Sequence, residues 1–301
     1  MFESTVVSHC WKRYSIVSPH DFVVGPPHKI DELPKDAVPY CFDFDRRCLI
    51  CVAAPDVLDR PFLYQAQRER ARSVVHIPYE ELDDERSTPV LIFSPGRCGS
   101  TLFLRALQAS GLPAVSEPDY FQQIVSAVGS SLDRGSRQQL LRKATALLSR
   151  QLGTRAPVIK LREQCNAAPL LISLAFSSVR IIFILRNPVD WAISRKRAFP
   201  MTSAQRAVLI LRRTLKAVDR LRSAHDVRIC HYEEFAKPEV GYFRDVASSL
   251  GAASPIPEDA IRAVLASDSQ EETALSRRSL AGNPVDRRYI EEFKALWEAG
   301  A

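Results

Sequence analysis

No apolar run in this chain is long enough to cross a bilayer. Stretches such as VRIIFIL (179–185) fall far short of the roughly 20 residues a spanning helix needs. The opening MFESTVVSHCWKRY lacks a basic start followed by an apolar stretch, so it does not read as a secretory signal. Both absences lead to the expectation of a soluble, cytoplasmic protein. Cysteine is sparse and odd in number: seven residues (Cys10, Cys41, Cys48, Cys51, Cys98, Cys165, Cys230) scattered through 301, which excludes a disulfide scaffold and points to reduced thiols. None of the familiar zinc or calcium spacings occurs, so no metal is expected. The lone CxxC, Cys48 and Cys51 in RRCLICVAA, falls in a strand-like segment, where positions three apart face opposite sides. No histidine lies between His76 and His225, and there are no repeats or low-complexity segments.

What is present is ordinary for a globular protein: 46% hydrophobic and 25% charged residues, with a formal net charge of +6. A chain of this length buries a core without staples, and its positive excess fits either solubility or an anionic ligand. Nucleic acid is not the expected partner. The basic face of 203–225 has no interleaved aromatics and reads as a solvated helix surface.

The acidic ELDDERST (81–88) marks a boundary, so residues 1–86 are read as a small α+β extension and 87–301 as the main domain. In the extension, PYCFDF and CLICVAA read as strands joined by a polar turn, FLYQAQRERARSV as a helix and VVHIPYEEL as a further strand. From Pro89 apolar strands alternate with helices: strands at PVLIFS, APVIKL, VRIIFIL and VRICHY, helices at STLFLRALQAS (stopped by Gly111), AAPLLISLAFSS and 203–225. Ala204, Val208, Leu211, Leu215 and Val218 form the apolar stripe expected of the last of these. Fully apolar strands separated by helices predict an α/β fold with a central parallel sheet.

The loop in FSPGRCGSTL (93–102) follows a strand and opens a helix, a turn that presents backbone N–H groups and the positive helix end to an anion. Gly96 and Gly99 let the backbone approach closely, and Ser100 and Thr101 can donate hydroxyl hydrogen bonds. A nucleotide loop of the GxxxxGK[ST] type would place a lysine before the hydroxyl. Here Gly99 is followed directly by Ser100, and the cation, Arg97, has moved inside the turn. A second constellation is ILRNPVDWAISR (184–195). Arg186 closes a strand, facing the crevice where parallel-sheet proteins bind ligands, and Ser194 lies in the helix that follows.

Together PGRCGSTL and RNPVDWAIS resemble the RxGT/ST-like loop and the RxPxxxxxS segment of the sulfotransferases that use 3′-phosphoadenosine 5′-phosphosulfate (PAPS), in that family's order. The segment ICHYEEFAKPEVGYFRDVASSLG (229–251) resembles the family's YEDL…P…FLGL stretch, and SRRSLAGNP (276–284) its basic, glycine-containing tail. The resemblance spans roughly residues 89–250 and is closest to the carbohydrate-acting and bacterial branches.

The resemblance implies a P-loop-like fold and a set of roles. Gly96, Arg97, Cys98, Gly99, Ser100 and Thr101 would cradle the 5′-phosphosulfate, with Arg97 neutralising charge on the bridging oxygen. Arg186 and Ser194 would hold the 3′-phosphate, with Arg277 and Arg278 adding to that site. Two departures stand out: Cys98 where serine is common, and Asn187 where aspartate is common. Glu117, in a Glu-Pro pair like that of the carbohydrate-acting branches, is the candidate general base, a role that calls for burial or an apolar neighbour such as Tyr120 or Phe121. Lys160 resembles a cation near the transferred group, with Arg162 and Glu163 as alternates.

The implied co-substrate is PAPS and the implied reaction needs no metal. Acceptors in the family are sugars, lipids, peptides and small metabolites, here approached through 118–155 and 197–205, expected as loops, together with the N-terminal extension. Two other readings of the same residues stay open: an ATP-dependent P-loop kinase, and a non-catalytic protein that has kept a nucleotide site.

Overall fold

The computed structural model describes residues 15–23, 25–127, 132–271, 273 and 275–300. Cys10 therefore lies outside the described residues. Strands β1 (Ala37–Asp43) and β2 (Cys48–Ala53) form an antiparallel hairpin in which every strand residue is buried. Their Val, Ile, Tyr, Phe and Cys side chains suit a sheet covered on both faces. Helix α1 (Leu63–Arg70) leads to β3 (Ser73–Pro78), antiparallel to β2. The VVHIPYEEL segment is thus strand only as far as Pro78, and a 3-10 turn takes Tyr79–Glu81. Cys48 and Cys51 are buried free thiols of β2, and among the described residues no group of His, Cys, Asp or Glu side chains could hold a metal ion.

Next come β4 (Val90–Phe93), α2 (Ser100–Ala109), β5 (Ala114–Ser116), α3 (Tyr120–Ser126) and α4 (Arg134–Gln151). Gly111, at φ 83°, ends α2 in the left-handed conformation that its lack of a side chain permits. The segment 118–155 is mostly helix rather than loop: α4 buries Leu140, Leu141, Ala144, Leu147 and Leu148, a helical spacing, and packs with α3 on β1. Strand β6 (Val158–Lys160) precedes α5 (Pro169–Ser173), a single turn where AAPLLISLAFSS reads as a longer helix. Pro169 sets its first turn, and the chain leaves it at Leu174.

Then follow β7 (Arg180–Leu185), α6 (Pro188–Ala198), α7 (Ala204–Arg222), β8 (Val227–His231), α8 (Tyr232–Phe235), α9 (Gly241–Ser249), α10 (Glu258–Ala266), α11 (Arg277–Leu280) and α12 (Arg287–Glu298). Ser203 caps α7, accepting from the Arg206 amide at 3.2 Å. Its buried stripe runs through Val208, Leu211, Thr214 and Val218, with α12 packed against α7. Leu215, counted in the expected stripe, is 36% exposed, and Thr214 sits on the buried side in its place.

The strands form two sheets: the antiparallel β1-β2-β3 and a five-stranded parallel sheet in the order β5-β6-β4-β7-β8. This is the α/β fold with a central parallel sheet that the alternation of apolar strands and helices predicts, plus the small N-terminal sheet. The chain forms two compact units. One takes the described residues up to Leu91 with Pro113–Arg180, and the other takes Ile92–Leu112 with Ile181 onward. Among the described residues no helix is long and apolar enough to cross a membrane.

Candidate functional site

In the second unit, the polypeptide leaves β4 at Phe93 and enters α2 at Ser100 through a turn with three positive φ values: Gly96 at 68°, Arg97 at 56° and Gly99 at 80°. Positive φ is uncommon for a residue such as arginine and marks a turn held by its surroundings. Two contacts hold this one. The Trp191 indole donates to the Gly96 carbonyl at 2.7 Å, taking up an oxygen that would repel an anion. Gly99 lies so close to Tyr232 that a Cβ there would clash with the ring. The turn therefore feeds the N-terminus of a ten-residue helix, whose first amides have no intrahelical partner.

Arg97 is half-buried and points its guanidinium to the Gln270 side-chain oxygen at 2.6 Å, with Leu275 O at 3.5 Å. The amide nitrogen of Gln270 in turn reaches Thr101 Oγ at 3.5 Å. Ser100 and Thr101 are each only 5% exposed. Cys98 is fully buried, so it contributes a small apolar side chain to packing where serine would offer a hydroxyl.

Arg186 follows β7, the strand next to β4, and its guanidinium lies over the Tyr232 ring, 4.4 Å from the centroid. Its Nε is buried without a hydrogen-bond partner, a donor waiting for an acceptor. Asn187 caps α6, its side-chain oxygen accepting from Val189 N (3.0 Å) and Asp190 N (3.3 Å). An asparagine does this as well as an aspartate, which accounts for the departure at this position. Ser194 is half-buried two turns into α6. Arg277 and Arg278 open the short α11, with Arg278 exposed.

In the first unit, Ser116 of β5 sits opposite Lys160 of β6. The buried Lys160 ammonium donates to Glu117 Oε1 at 2.5 Å and to Ser116 Oγ at 3.2 Å. Glu117 itself has φ 59° and its amide donates to Lys160 O at 2.7 Å. The Glu117 side chain is 13% exposed, so it has the burial that a base at this position calls for, and its ion-pair partner is a lysine. Arg162 is not open to a substrate: it forms a buried ion pair with Asp119 at 2.7 Å and lies 4.6 Å from the Tyr64 ring centroid. Burial pushes the Asp119 carboxyl up from its ordinary value, and the Arg162 guanidinium opposes that rise.

The structure thus gathers Gly96–Thr101, Arg186, Tyr232, Trp191 and Gln270 in one unit, and Ser116, Glu117 and Lys160 in the other. Trp191, Tyr232 and Gln270 carry no motif of their own. Each reaches the loop from a distant part of the chain, and only the YEEF likeness gave a hint of Tyr232.

No family model matches the chain, and no curated protein does. Solved structures that resemble it include three sulfotransferases. The sulfotransferase domain of the Synechococcus PCC 7002 olefin synthase is 15% identical, with 72% of this chain and 96% of that one covered, at a TM-score of 0.43. Mouse sulfotransferase SULT7A1, solved with PAP, is 15% identical over 74% of this chain and 84% of that one, at 0.42. The sulfotransferase from Alicyclobacillus acidocaldarius is 17% identical over 71% and 92%, also at 0.42.

Proposed function

We propose that this protein is a sulfotransferase that moves the sulfuryl group of PAPS to a hydroxyl, or less readily an amine, of a small-molecule, lipid or carbohydrate acceptor in the cytoplasm. The reading rests on one observation above the others. The anion-binding turn carries its cation, Arg97, inside it, and on the neighbouring strand's carboxyl end Arg186 keeps a buried Nε without a partner. Two cations so placed suit a nucleotide with phosphate at both its 5′ and 3′ positions. In this reading residues 87–301 carry the transfer chemistry and residues 1–86 are an addition to it.

Bound PAPS supplies an electrophilic sulfur and a 5′-phosphate leaving group. The amides of Gly96–Thr101 and the Ser100 and Thr101 hydroxyls hold the 5′ end, with the buried Cys98 forming part of the turn. Arg97 neutralises charge on the bridging oxygen, the largest catalytic contribution such a site makes. Arg186 and Ser194 hold the 3′-phosphate, joined by Arg277 and Arg278. Glu117 takes the acceptor's proton, and Lys160 steadies the carboxylate at 2.5 Å.

Calorimetric titration with PAP, comparing the native protein with Arg186→Ala, tests the reading. Native binding with a ten- to hundred-fold loss in the variant is expected, since a charge-assisted hydrogen bond contributes about 1.5–3 kcal/mol. Absence of native binding would sink the proposal.

A further inference from the structure

Ser116 is one residue before the positive-φ Glu117 and opposite Lys160 in the β5–β6 register. A serine hydroxyl has a single proton. Ser116 gives it to the Pro61 carbonyl at 2.6 Å, and since a carbonyl only accepts, the direction is fixed. The oxygen lone pairs are left to accept from Lys160 Nζ at 3.2 Å. Lys160, which only donates, then spends one proton on Ser116 and another on Glu117 Oε1 at 2.5 Å. Its Nζ also lies 5.9 Å from the centroid of the Phe62 ring, adjacent to Pro61 in sequence. Ser116 is 1% and Lys160 2% exposed, so water does not substitute for a lost partner here.

We propose that Ser116 is a positioning residue for the Lys160–Glu117 pair, and that the N-terminal extension sets it through the Pro61 carbonyl. The proposal rests on the reading of Glu117 as base and Lys160 as its cation. Glu117 precedes Pro118 at φ 59°, a conformation a pre-proline residue adopts only when its surroundings over-determine it. Its amide is tied to Lys160 O at 2.7 Å, so the same strand end holds both its backbone and its carboxylate. By giving the ammonium a second, fixed acceptor, Ser116 keeps Lys160 from turning wholly onto Glu117. This keeps the ammonium on Oε1 and leaves Oε2 for the acceptor's proton. The extension therefore acts on the chemistry through the Pro61 carbonyl.

The test uses the full chain with labelled PAPS and 4-nitrophenol as acceptor, together with calorimetric binding of PAP. Ser116→Ala is expected to lower kcat about ten-fold while the KM for PAPS and the Kd for PAP stay within about two-fold; Ser116→Thr, which keeps the hydroxyl, restores most of kcat. A folded Ser116→Ala with kcat within about two-fold of native overturns the proposal, as does PAP affinity falling in step with kcat or a Ser116→Thr that recovers nothing. Native protein that binds PAP but transfers nothing overturns it while leaving the nucleotide site standing. Native protein that binds no PAP removes the sulfotransferase reading itself.

Discussion

Arg97 donates to the side-chain oxygen of Gln270, 173 positions away in sequence, at 2.6 Å. The same amide offers its nitrogen to Thr101 Oγ at 3.5 Å, so one glutamine spans two groups of the turn that we assign to the 5′ end of the nucleotide. A neutral amide can release Arg97 to an incoming anion; a carboxylate would neutralise the guanidinium and repel the anion. Gln270→Glu is therefore expected to weaken PAP binding at least about ten-fold, roughly the 1.4 kcal/mol of one lost charge-assisted contact. Gln270→Ala, which removes the tether without adding charge, should change it by no more than about three-fold. Calorimetry on both variants decides it, and equal losses would show that Gln270 matters for shape rather than charge.

Gly99 combines a φ of 80° with a Tyr232 ring that a Cβ would strike. Gly99→Ala meets both costs. Backbone strain of this kind contributes about 1–3 kcal/mol, and the ring contact adds to it. Loss of about 2 kcal/mol or more in urea unfolding is expected, with PAP affinity reduced as the turn shifts. Tyr232→Ala in the Gly99→Ala background relieves the contact but not the φ. Partial recovery of stability in the double variant separates the two terms, and no recovery would mean that the ring is not what confines Gly99.

The glycine-containing strand–helix turn, Arg186 and the parallel sheet are legible in the sequence for one reason: each is a local pattern. Glycines, a cation and two hydroxyls fall within one strand–helix turn, and the buried strands are continuous apolar runs. Trp191, Gln270 and Tyr232 are not legible in this way. A tryptophan in a helix or a glutamine in a loop becomes a site residue only when the fold brings it against Gly96, Arg97 or Gly99. Strand β5 is three residues long, too short for a period-two pattern to stand out, although it carries Ser116. The helical spacing of Leu140, Ala144 and Leu147–Leu148 is present in the sequence of α4, so this helix is legible there although 118–155 is expected as acceptor loops. Lys160 is legible as the end of a strand, but its partnership with Ser116 depends on a parallel register that no sequence pattern announces.

His76 makes stability depend on pH in a direction that can be worked out. It lies in β3 at 4% exposure, its Nδ1 3.3 Å from the Gly25 carbonyl, which assigns the proton to Nδ1. Its Nε2 is buried with no hydrogen-bond partner. Burial holds the imidazole below its ordinary value, with the Gly25 carbonyl and Asp43 pulling the other way and Arg46 and His28 adding to the depression. The unfolded chain then binds the proton more readily than the folded one. Stability from this group is complete above the unfolded value of about 6.5 and is lost as pH falls through the lower folded value. His76→Gln keeps a donor for Gly25 O but cannot titrate. Urea unfolding at pH 7.5 and pH 5 should show the native protein losing more stability on acidification than the variant. Parallel losses would place the acid sensitivity in the carboxylates common to both proteins and remove His76 from the account.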